Sequence, residues 1–479
     1  MQAESLAAAS ATASAAEYAE YVSALVNRAR AAMAEFADAD QPRVDEAVTA
    51  LAWSLYKPEH ARALAKRAVD TTGLGRVDSK IIKNQRKTFG TLRDLLRVKT
   101  VGVIEEIPER GLVKYAKPVG VVAAITPSTN PSATPVNKAM FAIKGRNAII
   151  IVPSPSGHAV TSETVALMRA ELEKIGLPAD LVQTPDRRPS KALTAELMRQ
   201  ADLVVATGSQ SNVRAAYRSG TPAIGVGAGN VPVIIDESAD LHDAAEKIGL
   251  SKTFDNATSC SSENSVVILD SIYDEALSAL KKAGGYLVDP GVKADIERRL
   301  WIDGKLNRDV IARDAVVVAD KLGLGADARG AAFFMVEEAG IGPDHPLSGE
   351  KLSLVLTVYR ARDFSDACRI VREILGFEGR GHSCGIHTGN PEHAARLAET
   401  TDVVRVLVNQ AHTMGNGGSF DNGLNFTLSM GCGTWGRNSI TENLNYRNFI
   451  NITHLATTIP PDEPTEQDLF GTYWDRYGK

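Results

Sequence analysis

Apolar positions change their spacing along the chain, and each change marks a new kind of element. Over the first hundred residues the spacing is helical. It predicts a helix from Tyr18 to Phe36 and another helical stretch from Val44 to Ala68, interrupted near Pro58 and stopped by Thr71-Thr72-Gly73. Two strand-like runs, Val101 to Ile107 and Leu112 to Pro118, then flank Pro108-Glu109-Arg110-Gly111 and predict a hairpin. From Val119 onward, short continuous apolar runs alternate with helical patterns. The runs are Val119 to Ile125, Ala148 to Val152, Leu203 to Val205 and Val233 to Asp236. The helices between them are Ala133 to Ile143, Val160 to Ile175, Ser211 to Arg218 and Ala239 to Lys252. Unbroken apolar strands alternating with helices predict an α/β fold, an open parallel sheet covered on both faces. Such sheets bind ligands at the carboxyl ends of their strands.

A second α/β lobe is expected after residue 250, from Val266 to Leu269, Ala276 to Ala283, Val316-Val317-Val318, Val355 to Val358, Ala367 to Leu375 and Val403 to Val408. The pattern divides the chain into a dinucleotide-binding domain (1–100 and 118–250), an oligomerisation hairpin (101–117), a catalytic domain (251–440) and a C-terminal arm (441–479). Beyond Ile440 the chain turns polar and aromatic, with Pro460-Pro461 and a charged end. That suits either a strap lying on another subunit or a free tail.

Composition narrows the function classes. The 479 residues are 44% hydrophobic and 23% charged, enough for a sizeable core. A net charge of −5 gives no electrostatic case for nucleic acid or an anionic membrane. No run approaches the roughly 18 apolar residues of a membrane span. Met1 to Ala16 is Ala/Ser-rich but carries Glu4 and lacks a basic start, so it reads as the frayed beginning of a helix rather than a leader. Four separated cysteines without a CxxC pair fit a reducing cytoplasm better than a disulfide framework.

Candidate chemistry centres on Cys260, in Phe254-Asp255-Asn256-Ala257-Thr258-Ser259-Cys260-Ser261-Ser262, between a helix end and a strand start. A thiol among small residues on a loop held by rigid elements suits an attacking nucleophile. Taken alone, it equally suits a small buried hydrophobe. Asn130 closes Thr126-Pro127-Ser128-Thr129-Asn130 after the first strand. Its amide could serve an oxyanion or simply form an Asx-turn before Pro131. Thr207-Gly208-Ser209 opens a helix and could offer N–H groups to a phosphate. The segment from Gly225 through Gly227 to Asn230 is glycine-rich but precedes a strand, which favours close backbone approach over phosphate cradling.

Together these features resemble the aldehyde dehydrogenase superfamily, and its CoA-acylating branch most closely. The resemblance rests on AITPSTNPSATPVNKAM, GVGAGNVPVIID, TFDNATSCSSENSVVI, HPLSGEKLSLVLTVYR, GRGHSCGIHT and GCGTWGRNS, and spans roughly residues 15 to 455. It implies two open parallel-sheet lobes, with Cys260 as nucleophile and Asn130 as oxyanion donor. It also implies a nicotinamide dinucleotide held by Thr126, Pro127, Ser128, Ser154, Pro155, Thr207, Gly208, Ser209, Gly225, Gly227 and Glu350. In hydrolytic relatives a Glu opens the glycine-rich segment and activates water; Gly225 is read at that position here. Without that base the acyl group waits for the thiol of coenzyme A. Val152-Pro153-Ser154-Pro155 replaces a Lys-Pro-Ser-Glu that would bond the ribose, so NADP is admitted beside NAD.

His382-x-Cys384-x-x-His387 offers three metal-type ligands without a fourth, so no metal is expected, and His382 is placed at the acyl or coenzyme A pocket. Arg380 and Arg437 lie beside family motifs, and an arginine fork suits sulfonate or carboxylate. The closing words resemble acylating dehydrogenases of sulfoacetaldehyde, ahead of succinate semialdehyde and then acetaldehyde or propionaldehyde. A homodimer or homotetramer is the implied assembly. A binding protein that has lost its chemistry is the reading from another class, opposed by the joint presence of Cys260 and Asn130.

Overall fold

The structure is a computed structural model that describes the backbone of residues 2–479 and side chains from Ala16 onward. The first helix, Gln2–Phe36, takes in the Ala-rich start; Met1 and the side chains before Ala16 lie outside the described residues. The interruption at Pro58 separates two helices, Gln41–Tyr56 and Pro58–Thr72, the latter ended by Gly73 at φ 68°. A fourth helix, Val77–Leu96, completes the helical start. None of the described helices is long and apolar enough to cross a membrane.

Two parallel sheets form the body. The smaller runs in the order Val182–Gln183, Ala148–Val152, Val121–Ile125, Leu203–Ala206, Ala223–Gly225. Its three central strands are buried throughout, as unbroken apolar runs require. The helix Ala133–Lys144 is buried along its whole length. From it Lys138 donates to the carbonyls of Ile125 (3.3 Å) and Val205 (2.9 Å), tying two strand ends together.

The larger sheet has seven strands, in the order Gly285–Leu287, Phe333–Glu337, Val355–Ala361, Glu263–Leu269, Val231–Ile235, Gly381–His387, Val403–Val408. Three points differ from the sequence expectation. Val231–Ile235, grouped above with the first lobe, pairs with Glu263–Leu269 and Gly381–His387 in the second sheet. Val316-Val317-Val318 is helical, within Ala315–Leu322, and Gly323 at φ 71° ends it. Its valines pass for a strand by β-branching, but only Val318 among them is buried. Finally, Gly381–His387 is a fully buried strand whose polar letters concealed it.

The hairpin forms as expected, Gly102–Ile107 against Leu112–Pro118. The arm contributes Ile450–Ala456, which pairs antiparallel with Leu112–Pro118 of the same chain. A last helix, Glu466–Tyr477, starts with a capping box between Thr465 and Asp468.

Candidate active site

The helix Leu241–Thr253 ends where Phe254–Ala257 turns toward the strand Glu263–Leu269, and Cys260 lies on that passage. Three consecutive non-glycine residues, Asp255, Asn256 and Ala257, sit at φ of 52°, 54° and 57°. Left-handed backbone costs about 1–2 kcal/mol per such residue, so the turn must be held from outside. Asp255 does most of this. Its carboxylate accepts from Arg76 N–H (2.8 Å), Lys80 Nζ (3.0 Å), Lys83 Nζ (2.6 Å) and Thr258 Oγ1 (2.8 Å). Asn256 Nδ2 donates to Asp314 at 2.8 Å. The segment before the thiol is therefore strained and clamped, as at many functional sites.

His382, on the strand Gly381–His387, places Nε2 3.3 Å from Cys260 Sγ, and its Nδ1 is 2.8 Å from Ser383 Oγ. Burial, with Arg405 nearby, holds the imidazole well below its usual pKa, so it is neutral at physiological pH. Burial, then the Glu350 carboxylate, pushes the Cys260 thiol up to about 12, while Arg405 acts in the opposite direction. A protonated thiol beside a neutral imidazole is an arrangement in which the ring nitrogen could take the thiol proton.

Asn130 presents Oδ1 to Lys83 Nζ at 2.9 Å. Glu350 carries a buried Oε1 with no partner among the described residues, and burial beside Glu378 raises its carboxyl to about 8. The glycine-rich segment comes up against the thiol loop. A Cβ on Gly229 would collide with Cys260 carbonyl and Cβ, and one on Gly227 with Cys432 Sγ. Close backbone approach is thus what these glycines permit. A Cβ on Gly225, the position read as the missing base, would meet Val213 and Tyr217. Residues 225–230 carry no acidic side chain.

Most of the proposed nucleotide residues gather at the carboxyl edge of the five-stranded sheet, while Glu350 lies between two strands of the seven-stranded sheet. Thr126 N–H donates to Val152, Ser154 N–H to Thr126, and Thr207 N–H to Ile125. Ser209 caps the helix Gln210–Arg218, and Gly208, at φ 152°, lies against Pro127. A Cβ on Gly157 would touch both Ser154 and Ser128, so the two turns abut. The N–H groups of Thr126, Ser154 and Thr207 are taken by neighbouring strand ends, so what the turns offer a dinucleotide is the start of the helix Gln210–Arg218, and no carboxylate occurs in residues 152–155 to repel a 2′-phosphate.

Of the two arginines, Arg380 is engaged on the surface by Asp402 (Nε at 3.0 Å, Nη2 at 2.5 Å), so its fork is not presented to the thiol. Arg437 is exposed, at φ 56°, without a salt bridge to any described residue. Cys384 bonds Thr401, and His382 and His387 fall on opposite faces of their strand, so the three metal-type residues do not converge. The described residues do bring together Asp236, Glu237 and His393, but Asp236 is saturated by Ser238, Thr388 and His393.

Three cations at the site escaped the sequence. Lys80 and Lys83 left no signal, being basic residues on an amphipathic helix. Arg405 did leave one: a charge inside the apolar run Val403–Val408. It is 4% exposed and has no carboxylate partner among the described residues. It donates to the carbonyls of His382 and Gly431 (both 2.8 Å) and to Asn443 (3.0 Å).

Comparison with known proteins agrees with this geometry. The aldehyde dehydrogenase family model matches residues 6–291. A sulfoacetaldehyde dehydrogenase (acylating) from Cupriavidus necator is 54% identical over 96% of this chain and 94% of its own. Another from Bilophila wadsworthia is 46% identical over 96% of this chain and 99% of its own. Among solved structures, an acetylating aldehyde dehydrogenase from Geobacillus thermoglucosidasius superimposes with a TM-score of 0.90 at 33% identity, covering 94% of this chain and 99% of that one. A clamped thiol beside a neutral histidine, on a two-sheet scaffold with these relatives, is an oxidoreductase site for aldehydes: the chain belongs to the aldehyde dehydrogenase family.

Proposed function

We propose that the protein oxidises sulfoacetaldehyde, or a closely similar small anionic aldehyde, to its coenzyme A thioester. The observation that carries the reaction class is the neutral His382 3.3 Å from a protonated Cys260, with no acidic residue in the adjoining glycine-rich segment. As the sulfur bonds the aldehyde carbon, its proton passes to His382 Nε2. The oxygen left negative is met by the amide N–H₂ of Asn130 and the N–H of Cys260. A nicotinamide dinucleotide, which the turns at residues 126–128, 154–155 and 207–209 would hold, would supply the hydride acceptor, and loss of the hydride would leave a thioester on Cys260. His382 gives up that first proton to solvent and is neutral again; it then takes the proton of the coenzyme A thiol, whose sulfur displaces Cys260, and returns it to the departing Cys260 thiolate. Either NAD or NADP is admitted by the turns around Ser154 and Pro155.

The names of the two relatives above support sulfoacetaldehyde. The buried cations Lys80, Lys83 and Arg405 are consistent with an anionic substrate, beside the carboxyl groups of Asp255, which pairs both lysines, and Glu350. Of the arginines expected from sequence, Arg437 stays a candidate contact and Arg380 does not. The hairpin and the strand Ile450–Ala456 form a three-stranded sheet with an exposed face, suited to a second copy of the chain.

The test is the initial rate of NAD⁺ and NADP⁺ reduction with sulfoacetaldehyde, succinate semialdehyde and acetaldehyde, with and without coenzyme A. Strict coenzyme A dependence, with sulfoacetaldehyde fastest, is expected. Equal rates without coenzyme A would refute the acylating reading, and acetaldehyde as the best substrate would refute the anionic one.

A further inference from the structure

Asn130 and the thiol loop meet on one ammonium. Lys83 Nζ lies 2.9 Å from Asn130 Oδ1, 2.6 Å from Asp255 Oδ2 and 3.3 Å from Thr258 Oγ1. Lys80, one turn earlier on the same helix, donates to the carbonyl of Thr129 at 3.0 Å and to Asp255. Both lysines are nearly inaccessible, with side chains 5% and 6% exposed, and Asp255 is at 0%. The Asn130 Nδ2 group has no hydrogen-bond partner among the described residues.

We infer that Lys83 is a positioning residue that sets which way the Asn130 amide faces. An amide side chain can rotate by half a turn at little cost, exchanging its oxygen for its N–H₂. One of these orientations aids a developing oxyanion, and the other repels it. An ammonium can only donate, so it accepts the amide oxygen as a partner and rejects the N–H₂ group. A hydrogen bond to a charged donor biases the two orientations on the order of 10–100-fold. Lys83 thereby commits the N–H₂ group to the side away from itself, leaving it unpaired for substrate oxygen. Asp255 fixes the ammonium from the strained turn that carries Cys260, so donor and nucleophile share one anchor. A carboxylate at 255 thus serves the oxyanion donor through Lys83 and the nucleophile through the turn. The inference rests on Asn130 being the oxyanion donor, as proposed above.

The experiment is a double-substitution cycle on the full-length enzyme, reading kcat and KM for the aldehyde at saturating nucleotide and coenzyme A. Asn130→Ala is expected to lower kcat about 10²–10³-fold. Lys83→Gln, which can offer its own oxygen to the amide, should lower kcat about tenfold or more with KM little changed. Lys83→Arg, still a pure donor, should retain most of the activity. In the Asn130→Ala background, Lys83→Gln should cost almost nothing further. The alkylation rate of Cys260 by iodoacetamide reports whether the thiol loop is intact in each variant and should stay near that of the parent. Full additivity of the two substitutions would overturn the inference, as would Lys83→Arg falling as far as Lys83→Gln. If Asn130→Ala leaves kcat unchanged, the oxyanion reading itself fails, and the positioning role falls with it.

Discussion

The two sheets solve different problems with different parts of the chain. The five-stranded sheet brings short turns and a helix cap together at the ends of apolar strands, at Thr126, Ser154, Thr207 and Ser209, where a dinucleotide is proposed. The seven-stranded sheet buries chemistry within its strands. Glu263, Asn264 and Ser265 share one strand, His382, Ser383 and Cys384 another, and Arg405 lies on a third. Holding a dinucleotide asks for N–H groups in a fixed array, which a helix start after an apolar strand and a tight turn can supply. Activating a thiol asks for side chains of defined charge in a dry place, and those must interrupt the apolar pattern. The first sheet should therefore tolerate single side-chain changes, and the second should not.

The largest expected effect comes from the thiol's partner. His382→Ala should lower kcat about 10²–10⁴-fold, the usual contribution of a positioned base. An effect below threefold would break the contrast between the sheets. Next is Gly229→Ala, where a methyl group enters the space of the Cys260 carbonyl and Cβ. Displacing a reacting atom by about 1 Å can cost 10²-fold, so a loss of this size in kcat with nucleotide binding unchanged is expected. Kinetics and nucleotide titration on the same sample decide this.

The third expectation concerns pH. Burial raises the Cys260 thiol to about 12, above its ordinary value, so the thiolate fraction is small and still growing throughout the accessible range. In the absence of substrate, iodoacetamide should alkylate Cys260 about tenfold faster for each pH unit between 7 and 10, without a plateau. A plateau near neutrality would mean a preformed thiolate, with His382 already protonated. The smallest effect belongs to the other sheet. Ser209→Ala removes a helix cap worth about 0.5–2 kcal/mol, so a modest rise in KM for the nucleotide with little change in kcat is expected.

The same contrast explains how much was legible in the sequence. Val121–Ile125 and Ala148–Val152 are plain apolar runs and could be drawn almost to the residue. Cys260 and Asn130 stood out by their loop positions at the ends of regular elements, and motif resemblance sharpened both; His382 was expected at the acyl or coenzyme A pocket, and the structure places it against Cys260. Gly381–His387 was invisible as a strand because Gly381, His382, Ser383, Gly385 and His387 break the apolar run, although every residue of the strand is buried. Lys83 was missed because nothing local marks it. Its value lies in Asp255, 172 residues away. Arg380 looked eligible by its neighbours alone, and Asp402, 22 residues on, takes its fork. Long-range pairing of this kind is set by the fold and leaves no period in the chain.

The most direct test of the account is intact-protein mass spectrometry of the enzyme mixed with sulfoacetaldehyde and oxidised nucleotide, first without coenzyme A and then with it. The account predicts one acyl adduct, mapped to Cys260, that persists over many turnover times and disappears on adding coenzyme A. Rapid loss of the adduct without coenzyme A, with free sulfoacetate released, would contradict it.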